Sequence, residues 1–197
     1  MTAQRDTTNL QSAQGSQPLL YQHGHVIQDY GTVQLLPIAL AHDARVQSCQ
    51  LLNQILADTM ILYSLYKKHH WQMRGPTFYQ LHLLLDKHAE AQLELIDVLA
   101  ERIQTLGGVA IADPRHVAEI TRIDRPPNGV EEVPTMIARL LAAHETIITE
   151  VRTAIEQTAQ NGDGGTNDLL MGDVLRPNEQ QVWFLAEHIV ETPLVRA

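Results

Sequence analysis

The sequence predicts an all-α fold: four long helices paired as two hairpins, with a long connection between the hairpins. Three observations carry that reading. Hydrophobic residues make up 44% of the chain but aromatics only 5%, a composition that suits helices packed through Leu, Ile, Val and Ala. Apolar side chains recur at helical spacing over stretches of about thirty residues. Glycine and proline clusters interrupt those stretches where helices must end.

The elements follow in order. Residues 1–38 are polar and aperiodic and read as a mobile arm. The first helix runs from about Ala41 to Gln72, with Leu52, Ile55, Leu56, Leu62 and Tyr66 near helical spacing, and Gly75-Pro76 stops it. The second starts near Thr77 and ends at Gly107-Gly108. The connector 109–130 holds Pro114, Pro126, Pro127 and Gly129, with one short helical turn around His116–Ile120. A connection of that length has to cross the bundle. The third helix spans about Glu131 to Gln160, its acidic start matched to the positive helix end. The segment Asn161-Gly162-Asp163-Gly164-Gly165 ends it, and Thr166 is the expected N-cap of a last helix reaching about Val190, kinked or split by Pro177. Two helical hairpins joined by a long crossover describe a ferritin-like four-helix bundle over residues 39–192, with 193–197 as a short tail.

Charge and composition exclude several classes of function. The net charge is −9, and only three lysines occur, Lys67, Lys68 and Lys87. Arm and tail offer one basic residue each, Arg5 and Arg196, so a phosphate backbone finds no basic cluster and DNA binding is expected to be weak or absent. No apolar run reaches the roughly 20 residues of a membrane span, and the start lacks the pattern of a signal peptide. Cys49 is the single cysteine, which fits a reducing cytoplasm.

One segment carries chemistry. At about 100° per residue, His82, Asp86, Asp97 and Glu101 fall within one arc of roughly 100° on the second helix. All four offer imidazole nitrogen or carboxylate oxygen, donors that suit iron. Such an arc is also what an ordinary solvated helix face looks like. His82 and Glu101 lie roughly 28 Å apart along the axis, so they cannot share a metal within one chain. In an antiparallel pair of these helices related by a two-fold axis, His82 and Asp86 face Asp97 and Glu101 of the other copy, and two equivalent sites result. His70, at the end of the first helix, is a further candidate ligand.

The stretch Lys68-His69-His70-Trp71-Gln72-Met73-Arg74-Gly75, then Phe78-x-x-Leu81-His82-x-x-x-Asp86, then Asp97-x-x-x-Glu101-Arg102-Ile103-x-x-Leu106-Gly107-Gly108, resembles the Dps family of mini-ferritins. The resemblance implies that His70, His82 and Asp86 come from one subunit and Asp97 and Glu101 from its two-fold mate. It also implies a hollow dodecamer that oxidises Fe(II), typically with hydrogen peroxide, and stores ferric oxide. Zinc, which takes the same donors, is a candidate competitor for the sites. His188 is a candidate additional ligand, because the end of the last helix approaches this region in such a bundle. Asp163, Asp168 and Asp173 are candidates for lining a cation pore, or serve only a helix N-terminus. His23, His25, His42 and Asp43 could form a metal site near the arm. His144 reads as a core histidine, His88 as pointing away from the site, and His69 as a surface or supporting residue. Trp71 and Trp183 read as packing residues, with interception of oxidising equivalents as the functional alternative.

Overall fold

The computed structural model describes residues 16–17, 22–23 and 25–190. Its long elements are α1 His42–Gln72, α2 Phe78–Thr105 and α4 Val133–Asn161, with α3 Pro114–Ile120 in the crossover. The fourth rod is composite: α5 Gly164–Leu169, a π-helical segment Leu170–Leu175, and α6 Arg176–Ala186. α1 packs against α2 and α4, and α4 packs against the fourth rod, which closes a four-helix bundle. Leu52, Leu56, Leu62, Leu85, Leu99, Ile103, Leu140, Ile147 and Val151 fill its centre. Among the described residues no helix is long and apolar enough to cross a membrane.

Pro177 explains the composite rod. Proline has no N–H for the carbonyl one turn back, and its ring crowds that carbonyl. The preceding turn widens to π geometry instead. Asn178 Nδ2 then donates to the buried Val174 carbonyl at 2.7 Å. The expected cap differs as well. Asp163, not Thr166, is the N-cap residue: its carboxylate accepts from Thr166 N at 3.0 Å and Thr166 Oγ1 at 2.6 Å. It also meets Arg102 Nη2 at 2.7 Å, so α2 and the fourth rod are tied through a buried carboxylate.

The α2 end and the segment before α1 meet at a glycine. Gly108 N bonds back to Ile103 O at 2.9 Å, a Schellman closure, and Gly107 takes φ +86°. A Cβ at Gly107 would lie 2.6 Å from Gln34 O, so this approach requires glycine. Gln34 N donates to Gly107 O at 2.8 Å, and Gln28 Nε2 to the same oxygen at 2.9 Å. Buried Arg45 donates to Gln34 O at 2.6 Å and to Leu106 O at 3.3 Å. Within the stretch expected as an arm, these contacts hold part of residues 25–38 on the bundle. A two-residue antiparallel pairing, Ser16–Gln17 with Gln22–His23, precedes it; residues 1–15 and 191–197 lie outside the described residues.

α1 also pins the crossover. Asn53 brackets it through Val109 O and Ile111 N at 3.1 and 2.8 Å. Buried Asp58 accepts from Gln54 Nε2, Thr121 Oγ1 and Arg122 N at 2.7, 2.5 and 2.7 Å. Beside it, Glu150 of α4 takes Arg122 Nη1 at 2.9 Å, while its other oxygen is buried without a partner. Burial first, and then the Asp58 charge, push the Glu150 carboxyl up to about 7.

Candidate metal centre

The α1–α2 turn brings His70 and His82 face to face. Their rings stack with centroids 3.7 Å apart and 19° between planes. His70 Nδ1 donates to His82 O at 2.7 Å, and His82 Nδ1 donates to His70 O at 3.0 Å. A carbonyl can only accept, so each Nδ1 carries the proton and each neutral ring presents Nε2 as a lone-pair donor. This is the ring orientation by which a backbone carbonyl prepares a histidine for a metal. Phe78 also stacks on His82, with centroids 5.0 Å apart, and fixes the second ring further.

Asp86, one turn beyond His82, brings its Oδ1 to 3.9 Å from His70 Nε2. Lys67 Nζ holds the same oxygen at 2.5 Å. That hydrogen bond, followed by the Lys67 charge, holds the Asp86 carboxyl below its ordinary range. The α1–α2 turn therefore brings His70, His82 and Asp86 together, with Lys67 as the counter-ion of the carboxylate.

Asp97 and Glu101 do not join them. Both are exposed on α2, and Asp97 lies about 16 Å along the axis from Asp86. Among the described residues of one chain, no three His, Cys, Asp or Glu side chains gather in metal-holding geometry. His188 is exposed and sits near His88, whose neutral form its charge favours. Asp163 is committed to its cap and to Arg102, whereas Asp168 and Asp173 are exposed. His42 and Asp43 touch each other at 3.4 Å on the surface, His25 is exposed, and the side chain of His23 lies outside the description. Trp71 and Trp183 are 72% and 60% exposed, so neither packs inside its own bundle. His69 is fully buried rather than on the surface, and neither of its nitrogens has a partner. Burial, then the Lys68 charge, pushes it down to about 4.

One turn below the histidine pair, the core holds a polar network that the sequence did not single out. Tyr66 of α1 meets His144 Nε2 of α4 at 2.5 Å, His88 Nδ1 of α2 at 3.2 Å and Gln181 Oε1 of α6 at 3.2 Å. His144 Nδ1 bonds Asn178 Oδ1 at 2.8 Å, and Gln92 Nε2 reaches Gln181 and Asn178 at 3.0 and 3.3 Å. Burial pushes His144 down to about 3 and raises Tyr66 well above its ordinary value. Burial, then Lys87 and His188, takes His88 to about 4. Only the four-residue spacing of Tyr66 from His70 hints in sequence that this phenol lies under the site.

A family model described as Ferritin-like domain matches residues 49–195. A Kitasatospora aureofaciens protein, named only as an uncharacterized protein in a bpoA2 5' region, is 65% identical over 148 residues, covering 75% of this chain and 99% of that one. A "DNA protection during starvation protein" of Halobacterium salinarum is 38% identical over 67% of this chain and 74% of its own. The solved structure of DpsC from Streptomyces coelicolor superposes with a TM-score of 0.86 at 66% identity, covering 87% of this chain and 100% of that chain.

Proposed function

Since this chain belongs to the ferritin-like family and, within it, to the Dps proteins, we propose that it is a cytoplasmic iron-storage and detoxification protein. Its reaction is oxidation of Fe(II) by hydrogen peroxide at ferroxidase sites shared between subunits. Its product is ferric oxide kept inside a dodecameric cage. The observation that carries this reading is the reciprocal Nδ1-to-carbonyl bonding of His70 and His82, which leaves both Nε2 atoms unspent, that of His70 at 3.9 Å from Asp86. Asp97 and Glu101, exposed one turn apart on α2, supply the missing anionic oxygens from a second copy. Ferric iron demands such hard oxygen donors more strongly than ferrous iron. Zinc, which accepts the same donors, competes with iron for the site.

The double substitution Asp97→Ala, Glu101→Ala tests the shared site. Removing two ligands while sparing buried apolar contacts is expected to leave assembly intact and slow the fast oxidation phase by at least about 100-fold. Light scattering checks the assembly and stopped-flow absorbance the chemistry. An unchanged fast phase, or a stable monomer with full activity, overturns the reading. DNA compaction is the competing function, since relatives carry DNA protection in their names. With net charge −9, gel shifts at physiological salt are expected to show weak or no binding. Tight binding that weakens steeply with salt would favour the competitor.

A further inference from the structure

We propose that Tyr66 is a redox-active phenol: when the site holds a single Fe(II), Tyr66 supplies the second electron that hydrogen peroxide needs, and passes its proton to His144. The inference rests on the ferroxidase reading above. Tyr66 lies one turn before His70 on α1, about 6 Å along the axis, and is fully buried.

The direction of its proton is fixed by the network. Asn178 Nδ2 is spent on Val174 O at 2.7 Å, so Asn178 turns Oδ1 to His144 Nδ1 at 2.8 Å. Nδ1 must then be the protonated nitrogen, and Nε2 is a lone pair facing the Tyr66 hydroxyl at 2.5 Å. The single phenol proton points along that short bond, while Gln181 Oε1 and His88 Nδ1, both at 3.2 Å, are longer, secondary contacts. Burial keeps His144 neutral and able to receive.

An ordinary buried tyrosine needs only a partner for its hydroxyl. Electron loss asks for more, because an oxidised phenol is a strong acid and a stranded positive charge in the core is costly. Here the acceptor is in contact, in the receptive tautomer, and its far nitrogen is already bonded to a carbonyl oxygen that supports the imidazolium. That imidazolium would still be fully buried, so the phenol yields its electron only to a strong oxidant. The balance is complete. Peroxide takes one electron from Fe(II), one from Tyr66 and two protons from solvent; its O–O bond breaks and two waters form. Fe(III), a neutral tyrosyl radical and His144 imidazolium remain. The next Fe(II) to enter returns the electron, and His144 returns the proton. The effect is that an underfilled site releases water instead of hydroxyl radical.

Assembled full-length protein, given one Fe(II) per site and then peroxide, is freeze-quenched for electron paramagnetic resonance. Wild type is expected to show an organic radical whose splitting collapses when ring-deuterated tyrosine is incorporated, a label that leaves the packing untouched. Tyr66→Phe is expected to lose the radical and raise the hydroxyl-radical spin adduct several-fold. His144→Gln, whose amide cannot take the proton, is expected to lower the radical yield. A radical that persists in Tyr66→Phe, or that responds to deuterated tryptophan, overturns the assignment. Rapid Fe(II) consumption with no radical in wild type overturns this inference alone. Absence of rapid Fe(II) consumption overturns the ferroxidase reading and this one together.

Discussion

Two sets of histidines sit one helical turn apart and are treated in opposite ways. His70 and His82, at the rim of the α1–α2 hairpin, each commit one nitrogen to a carbonyl and keep the other unspent. His144, fully buried in the bundle centre, commits both, one to Tyr66 and one to Asn178. The first arrangement is oriented but incomplete, which suits a ligand that arrives. The second is complete, which suits a core that must not move. The same side chain thus keeps a free nitrogen or none, according to how many of them the fold uses.

Acid should attack the second set first. His144 and His88 stay neutral in the fold, with values of about 3 and about 4, whereas the unfolded chain takes up protons below about 6.5. Their stabilisation is therefore present above pH ~6.5 and lost as pH falls from there towards those values. By pH 5 the loss amounts to about 4 kcal/mol for the pair. Glu150 works in the opposite direction. Its carboxyl is raised to about 7, so its contribution is whole below the ordinary carboxylate value and is lost as pH rises through about 7. For these three groups the optimum falls near pH ~6.5. Denaturation midpoints across pH check this, and Glu150→Gln should flatten the alkaline side and steepen the acid side, because it removes the opposing slope between the ordinary carboxylate value and about 7.

Substitution separates the two sets next. His144→Leu takes the closest partner from the Tyr66 hydroxyl and from Asn178 Oδ1, leaving them only longer contacts to Gln181, His88 and Gln92, and should cost about 2–4 kcal/mol. His82→Ala, at the half-buried rim, should cost about 1 kcal/mol yet abolish tight metal uptake. Paired denaturation and calorimetric metal titrations measure both. Equal stability losses at the two positions would erase the distinction. The smallest effect concerns Lys67. Its ammonium already occupies Asp86, so Lys67→Ala should tighten Zn(II) or Fe(II) binding by a few-fold, read by competition with a chromophoric chelator.

The sequence made the rim legible and the core not, for a physical reason. His70, His82, Asp86, Asp97 and Glu101 lie on two neighbouring helices, at spacings that repeat a family pattern. Gly75-Pro76, Gly107-Gly108 and the Asn161–Gly165 segment marked the helix ends because backbone conformation itself demands them. The Tyr66 network draws on α1, α2, α4 and α6, so its members share no local spacing, and each alone reads as a stray polar residue beside an apolar stripe. The docking of residues 25–38 was hidden for another reason. It depends on backbone hydrogen bonds and on Gly107 lacking a side chain, neither of which leaves a periodic trace. Asp58 and Glu150, from helices about ninety positions apart in the chain, were equally unreadable as a pair.

The wide turn at Leu170–Leu175 also sets the phase of everything after it. Thr166, Leu170, Val174 and Asn178 are all buried, four successive inward positions spaced by four. In an ordinary α-helix that spacing drifts about 40° per step, and the fourth residue would have rotated some 120° away from the first. The slower winding of the π segment cancels much of this drift and delivers Asn178 to His144. The last rod therefore keeps two clocks, one on each side of Pro177, and the second is set by the length of the first. A residue inserted into or removed from Leu170–Leu175 would alter no apolar composition, yet would turn Asn178, Gln181 and Leu185 together off the core.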